Sequence, residues 1–109
     1  MHHLEQDRTS LELARAIAAG LVEHPEWIDL ARGNLDRWEQ RNAHAPGLVR
    51  CYREWRGLLD MPLADVRLLL LENSDNARRL RQNSPFAGAL TPQEVWEIKR
   101  RSRDEAIGA

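Results

Sequence analysis

Residues 91–103, Thr-Pro-Gln-Glu-Val-Trp-Glu-Ile-Lys-Arg-Arg-Ser-Arg, carry the strongest helix-start signal in the chain. Thr91 and Glu94 stand at the spacing of a capping box, in which the hydroxyl and the carboxylate each take one orphan backbone N–H. Pro92 falls at the first helical position, where its missing donor costs nothing. Val95, Trp96 and Ile98 follow, and then the run Lys99, Arg100, Arg101 and Arg103, cations that suit a helix C-terminus.

Moving back from this helix, Asn83-Ser-Pro-Phe-Ala-Gly88 is turn-rich, and Phe86, the only phenylalanine, is expected to plug the core. Ser74 is placed to cap a helix carrying Ala77 and Leu80. Glu72-Asn-Ser74 is a turn, and Leu63, Val66, Leu69 and Leu70 face inward on a short helix after the Met61-Pro62 break. Pro46 opens another helix with Leu48, Tyr52, Trp55 and Leu59 on its inner face, after the loop Asn42-Ala-His-Ala-Pro46-Gly47. Pro25 opens the one before, lined by Ile28, Ala31, Leu35 and Trp38, with Gly33 weakening it by about 1 kcal/mol relative to alanine. Thr9-Ser-Leu-Glu12 is a second capping box, placed before Leu11, Ala14, Ile17, Ala18 and Leu21. No segment alternates long enough to read as a strand, and no internal repeat appears. The expectation is an all-α single compact bundle of five to six short helices over 9–104, with a polar tail at 1–8 and a second tail at 105–109.

With 109 residues the chain makes one domain, burying roughly 65% of its unfolded surface. Its 42% apolar and 30% charged content is that of a globular protein. Formal net charge is −1, so no global polyelectrolyte partner is implied. Lys99 is the only lysine among the 16 bases; genome base composition and bidentate recognition of carboxylate or phosphate both account for such a bias. A single cysteine, Cys51, excludes an intramolecular disulfide and fits a reducing, cytoplasmic setting. The polar opening residues and the short apolar runs give no expectation of a leader or membrane span.

Chemistry is weakly signalled. His2, His3, His24 and His44 lack tetrahedral-site spacing, though His2-His3 is a weak chelating pair. Cys51 lies between cations but lacks a positioned base, His44 being seven residues away across a loop, and a lone helical cysteine is usually a small core residue. The carboxylate pairs Asp36/Glu39 and Glu94/Glu97 are flanked by cations and read as solvated faces. Phosphate-cradling glycine motifs are absent. The expectation is no enzyme, no metal and no cofactor.

Charge, in contrast, is uneven. Between residues 74 and 103 the bases Arg78, Arg79, Arg81, Lys99, Arg100, Arg101 and Arg103 exceed the acids Asp75, Glu94 and Glu97 by four. Residues 63–82 read as a helix-turn-helix, with Asn76, Arg78, Arg79, Arg81 and Gln82 as the candidate nucleic-acid contacts, although Asp75 faces the phosphates and the turn lacks glycine. Four tryptophans, Trp27, Trp38, Trp55 and Trp96, are expected to pack the bundle, with Trp27 or Trp96 the exposed exception that anchors a partner. Val95, Trp96, Ile98, Lys99, Arg100, Arg101 and Arg103 are the candidate partner-binding residues.

The segment Arg79-Leu-Arg-Gln-Asn-Ser-Pro-Phe-Ala-Gly-Ala-Leu-Thr-Pro-Gln-Glu94, with Asn34-Leu-Asp-Arg-Trp38 and Arg53-Glu-Trp55, resembles small bacterial proteins of two-gene loci similar to toxin–antitoxin pairs, over roughly residues 30–101. That resemblance implies a protein that binds and masks a partner, such as a toxin-like enzyme, and that often binds DNA as well. It brings no functional residues to transfer.

Overall fold

Apolar residues at helical spacing along the first helix, Ala14, Ile17, Ala18 and Leu21, form a buried face against which later helices pack. In the computed structural model the backbone is described for residues 2–108 and the side chains for residues 8–105. Six helices follow in order: α1 (His2–Glu23), α2 (Trp27–Arg41), α3 (Pro46–Leu59), α4 (Leu63–Leu71), α5 (Asp75–Arg81) and α6 (Pro92–Gly108). No strand occurs among the described residues. The protein is an all-α single bundle. Among the described residues no helix is long and apolar enough to cross a membrane.

Three boundaries differ from the sequence reading. α1 begins at His2, so Thr9-Ser-Leu-Glu12 lies inside it and does not cap it. No glycine or proline interrupts the backbone before Gly20, so nothing stops the helix from extending back through the expected tail. At the other end α6 runs to Gly108, through most of the expected second tail. Pro25 and Glu26 form a turn ahead of α2, with the Trp27 N–H donating to the His24 carbonyl at 3.0 Å.

Packing follows from where α1 lies. It packs chiefly on α4 and α6 and also touches α5, whereas α2 pairs with α3. Arg67 on α4 donates Nε to the Ala18 carbonyl of α1 at 2.6 Å. The α2–α3 pair is joined by Arg56, which bonds Asp36 and Glu39, and by Arg53 on Glu39. The Asp36 carboxylate, with Glu39 behind it, holds the Arg56 guanidinium above its ordinary pKa. Asn42 Nδ2 donates to the Tyr52 hydroxyl at 3.1 Å, and Trp38 lies 5.9 Å from the Tyr52 ring. Arg32 links the pair to the end of α3 through the Leu59 carbonyl and Asp60.

At the centre Trp55 is fully buried, its ring edge-on to Phe86 at 6.2 Å, and its indole N–H donates to the Leu80 carbonyl at 3.0 Å. The indole therefore supplies apolar area without an orphan donor, and truncating such a residue typically costs about 3–5 kcal/mol. Phe86 plugs the core as the sequence predicts. Ser74 caps α5 by accepting from the Ala77 N–H, and Thr91 and Glu94 form the reciprocal box at α6.

Candidate functional site

The segment joining α5 to α6, residues 82–91, is held as a rigid elbow. Asn34, buried on α2, donates Nδ2 to the Pro85 carbonyl at 2.8 Å and to the Ala87 carbonyl at 2.9 Å. Its Oδ1 accepts from Arg37. Gly88 takes a φ of +91°, a conformation side-chain-bearing residues adopt only with strain, and so turns the chain toward α6. Leu90 folds inward, and Thr91 then opens α6 with its box: Thr91 N–H to Glu94 Oε1 at 2.9 Å, Glu94 N–H to Thr91 Oγ1 at 3.1 Å. The Thr91 backbone N–H, helped by the hydroxyl, holds the Glu94 carboxyl below its ordinary pKa.

This elbow, α1 and the first turns of α6 line a half-open apolar cavity of about 170 Å³. Leu13, Ile17, Phe86, Leu90 and Val95 line it, with Arg81 at its wall. Gly88, Leu90 and Val95 also line a shallow groove on the other side, walled by Pro92, Trp96 and Lys99. Trp96 is 59% exposed at the mouth, and the Arg100 guanidinium lies over its ring at 5.3 Å.

α6 divides cleanly around its axis. Val95 is half-buried while Ile98 and Ser102 are buried, so they make the inner face. Trp96, Lys99, Arg100 and Arg103 are exposed at i, i+3, i+4 and i+7, so they share the outer face. Of the predicted partner-binding residues, Ile98 is therefore a core residue, because its side chain is turned toward α1. Arg101 is exposed but off the ridge, beside Glu12, Ser102 and Glu105. Among the described residues, Lys99, Arg100, Arg101 and Arg103 take no ion pair.

The predicted helix-turn-helix residues fall differently. α4, the turn at 72–74 and α5 are present, but α5 spans only 7 residues. Arg79 bonds Glu54 at 2.8 Å and Asn76 Oδ1 at 2.7 Å, and the Glu54 carboxylate raises its pKa. Arg78 pairs with Asp75. Arg81 is buried and donates Nη1 to the Glu72 carbonyl at 2.7 Å, so it is out of reach of any groove. Gln82 is exposed.

Residues weighed for chemistry stay apart. Cys51 is buried, and burial pushes its thiol above the ordinary range even with Arg79 nearby. His44 is exposed in the loop before α3, and no hydrogen bond joins it to Cys51 among the described residues. His24 stacks on Trp27 at 5.0 Å and bonds Glu26. Among the described residues no group of three His, Cys, Asp or Glu converges as a metal would require; the His2 and His3 side chains lie outside the described residues. Comparison with protein-family models, with curated proteins and with solved structures gives no match to this chain.

Proposed function

We propose that this chain is a non-catalytic protein-binding module, antitoxin-like in role, that masks a partner protein through the outer face of α6 and the groove beside it. One observation carries the reading. The largest exposed aromatic side chain described stands at the mouth of an apolar groove, on one helix face with cations that pair with no carboxylate among the described residues. Elsewhere Arg53, Arg56, Arg78 and Arg79 pair with acids of the chain, while Arg41 and Arg50 are exposed singly, with no ion pair among the described residues. Leaving a ridge of unpaired cations around an indole is what an interface with an acid-edged partner needs, since Trp and Arg supply hot-spot energy and charge complementarity speeds encounter. An acidic nuclease-type surface has the matching chemistry.

A transcriptional regulator built on α4 and α5 is the weaker reading, because the guanidinium groups that would meet phosphates or bases are committed to Glu54, Asp75 and the Glu72 carbonyl.

The test is a pull-down of the tagged chain from its native host, with protein and nucleic acid both quantified, followed by affinity measurement on the recovered partner. Trp96→Ala is expected to weaken a stoichiometric protein complex at least tenfold while the helical spectrum stays intact. Unchanged affinity in the folded variant refutes the placement on α6. Recovered DNA that is lost at higher salt favours the regulator.

A further inference from the structure

Four large apolar side chains are left exposed among the described residues: Trp96 on α6, Leu68 and Leu71 on α4, and Val22 on the last turn of α1. They fall into two patches of opposite electrical character. On α6, Trp96 shares its face with Lys99, Arg100 and Arg103. On α4, Leu68 and Leu71 share the outer face with Ala64, and the exposed acids Asp65 and Glu72 flank them at i−3 and i+4 from Leu68. Glu23, also exposed, follows Val22 on the helix against which α4 packs. The one cation on α4, Arg67, is turned away to the Ala18 carbonyl. Leu68 is 65% exposed, more than any other large apolar side chain described.

We propose that the chain self-associates head to tail, the basic Trp96 ridge of α6 in one copy seating on the acid-edged leucine face of α4 in the next. Charge selects this arrangement. Two α4 faces brought together set Asp65 and Glu72 against their own copies, and two α6 ridges set arginine against arginine; only the unlike pairing joins apolar surface to apolar surface with opposite charges at the margin. Position permits it, because α4 and α6 each pack on α1 and make at most a slight contact with each other, which leaves both outer faces open. A heterologous contact of this kind leaves one patch open at each end, so assembly grows beyond the dimer unless rotation closes it. The contact is built from one short helix face against one ridge, which places it in the weak, salt-sensitive class of interfaces. It needs no masking partner, and it makes self-association and partner binding alternatives at α6.

Sedimentation velocity on the full chain from 10 µM to 1 mM, in 50 and 500 mM NaCl, tests this, with Leu68→Glu and an Arg100→Glu/Arg103→Glu double variant measured alone and mixed. All three substituted side chains are exposed, and circular dichroism verifies the fold. Weight-average mass is expected to rise with concentration from the 12.6 kDa monomer at low salt, with at least fivefold weaker association at high salt. Each variant alone is expected to stay monomeric. The equimolar mixture is expected to form a dimer and stop there, because each variant keeps the one patch the other lacks. A monomer throughout for the unaltered chain, continued self-association of either variant, or a mixture that stays monomeric overturns the proposal. The masking function is read separately, because Leu68→Glu leaves α6 whole and isolates partner binding from self-association.

Discussion

Asn34→Ala removes the amide that ties α2 to the elbow across 51 residues of sequence. Asn34 Nδ2 supplies both of its hydrogens to carbonyls, at 2.8 and 2.9 Å, and alanine supplies none. The Pro85 carbonyl is in a buried contact and has no solvent to turn to, so leaving it bare costs about 1–3 kcal/mol. The Ala87 bond is only partly buried; water replaces some of it, and its loss is worth about 1 kcal/mol. Together the substitution is expected to remove about 2–4 kcal/mol. With an m-value of about 1.5 kcal/mol/M, a loss of ~3 kcal/mol lowers the urea midpoint by ~2 M. Unfolding followed by circular dichroism and tryptophan fluorescence provides the measurement, and Arg37→Ala is the control. Arg37 is exposed and meets only the acceptor end of the same amide, so its removal is expected to cost under ~1 kcal/mol. A loss below ~0.5 kcal/mol for Asn34→Ala, or an equal loss for Arg37→Ala, refutes the assignment of the clamp to the two carbonyls.

Three further outcomes are expected. Thr91→Ala removes the α6 cap and is expected to cost about 1 kcal/mol. Because the Glu94 carboxyl is lowered by that box, its stabilisation is present above the ordinary carboxylate pKa and fades as pH falls through the lowered value; acid titration of Thr91→Ala is expected to show a weaker dependence. Gly20→Ala drives a methyl into the Trp27 ring and is expected to destabilise by about 1–3 kcal/mol, whereas Gly33→Ala meets only the end of the flexible Arg37 side chain and is expected to stabilise α2 by up to about 1 kcal/mol, both read from thermal midpoints. Cys51 is expected to react with a disulfide-exchange reagent far more slowly in the native than in the urea-unfolded chain. Its raised thiol pKa means that stability is full below the unfolded thiol value and declines as pH rises from there toward the folded one, a slope that Cys51→Ala removes.

Helix starts are legible because their signals are local. Ser74 needs only the N–H of Ala77, three residues on, and Thr91 and Glu94 need only each other. A local signal also misleads at α1, where the capping box at Thr9 sits inside the helix because no residue before it breaks the backbone. The clamp at Asn34 left no trace, since no rule of spacing links an amide on α2 to two carbonyls 51 and 53 residues away. Arg78, Arg79 and Arg81 look alike in sequence, yet one is buried and two pair with acids, because the rotation of α5 decides it and seven residues are too few to show a face. On α6 the signal was present: Val95, Ile98 and Ser102 recur at helical spacing, which sends Ile98 inward and Trp96 outward.

The placement of α1 also has a consequence for biosynthesis. Its apolar face is complete once Leu21 is made, but the helices it packs on most, α4 and α6, are the fourth and last in order. At about 5–20 residues per second the ribosome takes about 4–15 s to pass from Leu21 to Ile98. Ala14, Ile17, Ala18 and Leu21 have no cover from α4 until Leu71 is made and lack that of α6 for the whole interval, so the nascent chain carries a partly open apolar face.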